Sequence, residues 1–427
     1  LCVRACPVFV LFTVLALVGC LPRPAPRVVA LEPANGATAV PVWAELRLSL
    51  EAPPVGLPPP PQIEPPVSGA WHREGNTLVF RPAVPLAADT PYSITVTLAA
   101  SAADRIVWHF RTRPLRLLYL APDDRGREQL VLLPLSSGRP LTLTATPEGI
   151  WDYGVAPRQE DILFAALRPD GGSDLWRLRP DGSEPQPVLA CPQERCSGPV
   201  WSPRDALAVY ERRRDPGDVR LWWLQPDTGA SAAVFAGDVR GFAPRFAPDG
   251  AWLSFVEPGA GLHLYRFDDG RHLLIPDESG EPGSWSPTGE AIAFNLAPND
   301  EEDYRPRLMR LDLRTGRLHT LTVGMEDSSP VWSPDGSRLA FTRSLPSAAG
   351  GAQVWLLQAD GGEARPLTAE PAFHYSLPLW SPDGRWLVGQ RFAIAAPEAQ
   401  PEVWLLEVAT GVLHVPAAPA RLPAWLP

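Results

Sequence analysis

The chain has 427 residues, of which 45% are hydrophobic and 20% charged, enough for two domains and at least one large core. Its 38 basic residues are all arginine, and 48 acidic residues leave a net charge of -10, which excludes nucleic acid and a polybasic membrane patch as bases of binding. The 53 prolines exclude long helices, because each interior proline removes a hydrogen bond and clashes with the preceding turn.

At the N-terminus, Arg4 precedes an apolar run from Val8 to Val18. That run is too short to cross a bilayer and has the length of a signal-peptide core. It ends in Leu17-Val18-Gly19-Cys20, which resembles the bacterial lipobox. The resemblance implies a lipoprotein signal peptide over residues 1–19, cleavage before Cys20, and diacylation of its thiol. The protein is then expected at the extracytoplasmic face of the cell membrane, held through a lipid anchor. Acyl chains contribute about 0.8 kcal/mol per buried methylene, so two or three anchor firmly without basic help. Residue 1 is Leu, a departure from a standard start. Residues 20–27 comprise Cys20 and a proline-rich stalk, an extended and semi-rigid spacer.

Residues 28–113 read as a small β-sandwich. Alternating stretches occur at Glu45–Leu50, Thr77–Phe80, Ser93–Leu98 and Ile106–Phe110, separated by turn signals such as Asn35-Gly36 and Gly75-Asn76. Thr90-Pro91-Tyr92 after Leu86 has the pattern of a tyrosine corner. From Glu32-Pro33 through Phe80-Arg81-Pro82 to Trp108-His109-Phe110 the segment resembles the bacterial Ig-like domain of envelope proteins. Pro58–Pro66 reads as a proline-rich insertion in that frame.

From residue 114 to 427 the chain repeats. Trp332-Ser333-Pro334-Asp335-Gly336 and Trp380-Ser381-Pro382-Asp383-Gly384 are the clearest copies, with looser ones at Trp201, Phe246 and Trp285, a degenerate one at Val155, and a fragment at Pro423–Pro427. A period near 45 residues suits one four-stranded propeller blade. Within a copy, Pro330-Val331-Trp332 forms an inner strand, Asp335-Gly336 a tight turn, Arg338–Phe341 and Val354–Leu357 the next strands, and Arg365–Thr368 the outer edge. These repeats resemble the TolB-like propeller family. The expected fold is therefore all-β, an Ig-like sandwich followed by a β-propeller. The turn after the third strand recurs seven times, but only six full inner-strand motifs precede those turns, and Leu115–Thr144 lacks one. Seven blades follow if Pro423–Pro427 completes the first blade and removes its exposed edge; six blades with an irregular first segment is the alternative.

Chemistry is sparse. Cys191 and Cys196 are expected to form a loop disulfide in an exported chain, with free thiols as the alternative; zinc would need further ligands. No Gly-x-Ser-x-Gly elbow, His-Glu-x-x-His pair or P-loop occurs, the histidines are scattered, and the roughly 45 residues after the last full motif are expected to be blade strands. The acidic run Asn299–Asp303 lacks the spacing of a calcium loop. No cofactor or metal is expected. The best candidate surface is the rim where the chain enters each inner strand: Trp151, Asp152, Arg240, Glu326, Asp327, His374, Tyr375 and Arg421. The first reading is a monomeric, non-catalytic envelope lipoprotein that binds an envelope protein or cell-surface polymer there. The second is an enzyme or accessory in peptide or polysaccharide turnover, with chemistry at the channel.

Overall fold

The computed structural model describes residues 27–427 except 55, 99–104, 158–159, 181–182, 216, 278, 298–304, 346–349, 397 and 427. Residues 1–19, Cys20 and Asn299–Asp303 therefore lie outside the described residues. Every regular element among the described residues is a β-strand.

The N-terminal module stacks two four-stranded sheets. One has the spatial order Val28–Glu32, Leu46–Leu50, Thr77–Pro82, Gly69–Glu74; the other has Ala37–Val40, Arg105–Thr112, Pro91–Thr97, Gln62–Glu64. Period-two alternation sends Leu46, Leu48 and Leu50 inward against Phe80, Ile94 and Trp108. Gly75-Asn76 closes a two-residue hairpin between Glu74 and Thr77, with Gly75 at φ 62°. The Tyr92 hydroxyl accepts the Ala87 N–H at 2.8 Å, tying one strand end to nearby backbone. The segment expected as an insertion instead supplies the edge strand Gln62–Glu64, paired with Ser93–Thr95. An edge strand pairs on one side only, so flanking prolines cost it little.

From Arg116 onward the described strands form seven four-stranded antiparallel sheets in chain order, the second and third joined by one parallel bridge between Ser173 and Arg195. Their inner strands are, in order, Arg421–Leu426, Ile150–Val155, Arg195–Trp201, Phe242–Phe246, Ser284–Trp285, Glu326–Trp332 and Phe373–Trp380. The first sheet is thus completed from the end of the chain: Arg421 pairs Leu120, Ala424 pairs Leu118 and Leu426 pairs Arg116.

The signature repeats because each of its residues has a task. Ser333 Oγ receives the Arg338 N–H at 2.9 Å, Asp335 Oδ1 receives the Ser337 N–H at 3.0 Å, and Gly336 takes φ 71°. The tryptophan crosses between sheets. The Nε1 atoms of Trp201, Trp285, Trp332 and Trp380 donate to the carbonyls of Gly154, Arg245, Ser284 and Val331 in the preceding sheet, all at 3.1–3.2 Å. Each indole also fills the gap it spans, so the tryptophans are packing residues with a buried hydrogen bond.

An antiparallel meander places inner-to-second and third-to-fourth turns at one end of the propeller. The second-to-third turns and the entries to inner strands lie at the other. The Ig-like module touches the first end. The Ala88 N–H donates to Asp383 Oδ2 at 3.4 Å, in the signature turn of the seventh sheet. Glu160, in the corresponding turn of the second sheet, pairs with Arg113 and, at 2.8 Å, with Arg116 where the modules join.

Candidate binding face of the propeller

The opposite end carries the rim residues. Trp151 is 43% exposed, with the Arg195 guanidinium 4.4 Å from its ring centroid. Arg421 donates from Nη2 to the Trp151 carbonyl at 3.1 Å, and its Nε lies 3.3 Å from Glu128 Oε1. On the seventh sheet, His374 stacks on Phe392 with centroids 4.8 Å apart, and burial lowers the His374 pKa. Phe392 and Ile394 are 41% and 44% exposed. The first, second, third and seventh sheets thus contribute Arg421, Trp151, Arg195 and the His374–Phe392 pair to one end of the ring. Arg240 and Glu326 are exposed but stand apart, at the entries to the fourth and sixth sheets.

Asp327 and Tyr375 do not face the rim. Asp327 is 0% exposed and holds Arg343 through two bonds of 2.6 and 2.8 Å. Tyr375 is fully buried, donating to Glu370 Oε2 at 2.6 Å and accepting from Arg391 Nη1 at 2.8 Å; burial raises its pKa. The reason is strand alternation: Glu326 and His374 are the outward partners, and Asp327 and Tyr375 the inward ones. Cys191 and Cys196 are disulfide-bonded and buried beside this end, where the Cys191 N–H donates to Asp174 Oδ1 at 2.8 Å.

A feature that sequence reasoning missed runs around the inner strands. Each of five inner strands carries an irregularity with φ between 48° and 58°, at Gly198, Ala243, Ser329, Leu377 and Leu422. A side chain of the preceding sheet accepts the N–H at four of them. Asp152 holds Gly198 at 2.8 Å, Glu211 holds Ala243 at 2.7 Å, Glu281 holds Ser329 at 2.7 Å, and Gln390 holds Leu422 at 3.1 Å. A proline follows every one of the five, and proline suits a bulge because it has no N–H to pair. The recurring residue-Pro-residue-aromatic pattern was the available signal.

Burial raises the pKa values of Glu211 and Glu281. For Asp152, burial and then the Glu211 charge act against the Gly198 hydrogen bond and bring the carboxyl to about 7. Its Oδ1 is buried without a hydrogen-bond partner among the described residues, which penalises the ionised form. In an unfolded chain the same group titrates near 3.9. Between about pH 4 and 7 the unfolded chain loses this proton while the folded one keeps it, so stability falls as pH rises and levels off above 7. The contribution is on the order of 2–4 kcal/mol. Asp152→Asn keeps an acceptor for Gly198 and should flatten this slope; melting temperatures of both proteins at pH 5 and pH 8 check it, and equal losses would assign the slope elsewhere.

Among the described residues, no three His, Cys, Asp or Glu side chains converge as a metal site.

Two modules, a bacterial Ig-like sandwich and a β-propeller closed by its own last strand, define the class of protein. Comparison agrees in detail. The family described as bacterial Ig-like domain matches residues 23–112. A TolB protein of the Tol-Pal system from Anaeromyxobacter sp. (strain K) is 33% identical over 264 residues, 56% of this chain and 59% of that one. An uncharacterized protein of Agrobacterium fabrum is 26% identical, covering 46% and 70%. The uncharacterized peptidase YuxL of Bacillus subtilis is 39% identical over 192 residues, covering 34% and 29%. The chain thus spans 59% of that TolB protein and 29% of YuxL. Among solved structures, the β-propeller domain of the Pyrococcus furiosus trilobed protease aligns with a TM-score of 0.51 at 12% identity, covering 78% and 93%. A puromycin-hydrolyzing peptidase of Mycobacterium tuberculosis aligns at 0.54 and 16%, covering 78% and 52%. The Pyrococcus propeller is described as having an open velcro topology, whereas here the strand Arg421–Leu426 completes the first sheet. The chain is thus a β-propeller similar to TolB proteins, preceded by a domain that matches the bacterial Ig-like family.

Proposed function

We propose that this protein is a non-catalytic scaffold lipoprotein of the cell envelope, anchored through Cys20 and carried on the stalk 20–27, with the domains at 28–113 and 114–427. It binds an envelope protein or a cell-surface polymer as a monomer. The observation that carries this reading is the division of the propeller's two ends. The Ig-like module takes contacts at Asp383 and Glu160, while Trp151, Arg195, His374, Phe392 and Ile394 stay accessible at the other end. Half-exposed aromatics beside guanidinium groups are the usual composition of a protein-binding patch. The test is a pull-down from solubilised envelopes with the wild type and with Trp151→Ala/Phe392→Ser. Recovery of a partner by the wild type alone is expected; equal recovery by both, or none by either, overturns the reading.

The likeness to proteins named as peptidases favours a second reading, an enzyme or accessory in peptide or polysaccharide turnover. Its support is narrower, since the matched segments are 29% and 52% of those proteins. Hydrolysis of a peptide or glycan by the purified chain, abolished by a chelator, would put this reading first.

A further inference from the structure

Arg245 lies on the inner strand Phe242–Phe246, between the bulge at Ala243 and Phe246. Its carbonyl is engaged by Trp285 Nε1 at 3.2 Å, which fixes the backbone. The corresponding positions, next to the aromatic or its equivalent on the other inner strands, are Gly154, Val200, Ser284, Val331, Leu379 and Ala424, none charged. The side chain of Arg245 is exposed, yet protein enclosing it pulls its pKa down, with no carboxylate opposing. These two facts fit a group on the wall of a narrow channel, reached by water and surrounded by protein. Other arginines among the propeller strands meet carboxylates: Arg177 with Asp161, Arg343 with Asp327, Arg391 with Glu402, Arg421 with Glu128. Arg245 has no such partner among the described residues.

A guanidinium keeps its charge near neutral pH, so one exposed on an inner strand with no carboxylate beside it is open to an anion from solution. We propose that Arg245 receives an anionic group, a carboxylate or a phosphate, that enters the channel among the inner strands. The planar fork of donors suits both, through two parallel hydrogen bonds. The inference rests on reading the propeller as a binding module, but it names a different place from the rim.

The test is isothermal titration of the full chain with sodium acetate and, separately, sodium phosphate, with chloride balancing ionic strength. The wild type should bind at least one of them saturably. Arg245→Gln should lose affinity tenfold or more, Arg245→Lys should lose less, and Arg139→Gln, at an exposed position outside the inner strands, should bind like the wild type. A response to only one anion identifies the group. No saturable response to either, or equal binding by Arg245→Gln, overturns the proposal. Because no partner protein is needed, the outcome is separate from that of the pull-down. If Arg245→Gln does not fold, the Arg245→Lys comparison decides: binding unchanged in every respect from wild type, with no loss of affinity, overturns it.

Discussion

Removal of residues 421–427 should leave a protein that aggregates or melts at least 10 °C lower, a loss of roughly 5 kcal/mol or more. The strand Arg421–Leu426 supplies the inner edge of the first sheet, so its loss strands the backbone of Arg116–Pro122 on that side. Each buried donor or acceptor left unmade costs about 1–3 kcal/mol. Side chains go with it: Leu426 is buried against Leu118, Leu130 and Ile162, and Trp425 packs among Leu117, Tyr119 and Val388. The attachment is reinforced from both neighbours. The Tyr153 hydroxyl lies within reach of both the Leu118 and the Leu422 carbonyls, bridging the two strands from the second sheet. Gln390 Oε1 holds the Leu422 N–H from the seventh. Trp425→Ala alone leaves the backbone ladder in place and should cost about 1–3 kcal/mol, since Trp425 is only partly buried. Calorimetry on the three proteins ranks these effects, and a truncated chain that melts like the full one would mean the ring holds without its closing strand.

That closure is legible in the amino-acid sequence because it is an arithmetic property of a repeat, an inner strand missing at one end and spare at the other. The signature turn is legible for a similar reason: Ser, Asp and Gly each answer a local backbone demand, so their spacing does not depend on distant residues. The rim is legible only in part. Loop position puts Trp151, Arg421 and His374 at that end, but it cannot tell Glu326 from Asp327, because one step along a strand reverses the face. The acceptor at each bulge is hidden for another reason. Asp152 and Glu281 precede the bulges they serve by 46 and 48 residues, while Glu211 and Gln390 do so by 32 and 32, so no single spacing relates them. Only the bulge itself leaves a regular trace, in Pro199, Pro244, Pro330, Pro378 and Pro423. Arg245 draws no notice in the sequence because an arginine in a strand is ordinary until its lack of a partner is seen.

The buried pair Asp327–Arg343 should give the largest single-residue effect. Asp327→Leu removes the carboxylate that holds a guanidinium 11% exposed and lying over Trp355 and Phe341, 4.7 and 5.2 Å from their centroids. The arginine cannot shed its charge, so the variant should lose about 3–5 kcal/mol. Much of that loss reflects the stranded charge rather than the worth of the pair, which a second substitution can separate. Arg343→Met fills similar space with an apolar chain and retains contact with both rings. The double variant Asp327→Leu/Arg343→Met should therefore recover most of the stability lost by Asp327→Leu, a strongly non-additive result. Urea unfolding of the wild type, both singles and the double gives the coupling directly; simple addition of the single losses would show that the pair does not act as a unit. The pair also bears on function. Asp327 sits one residue from Glu326 at the rim and two from Ser329, whose N–H Glu281 holds from the fifth sheet. If the double variant regains stability and still recovers the wild-type partner in the pull-down, the ion pair serves the fold, and partner recognition belongs to the exposed residues around Trp151 and Phe392.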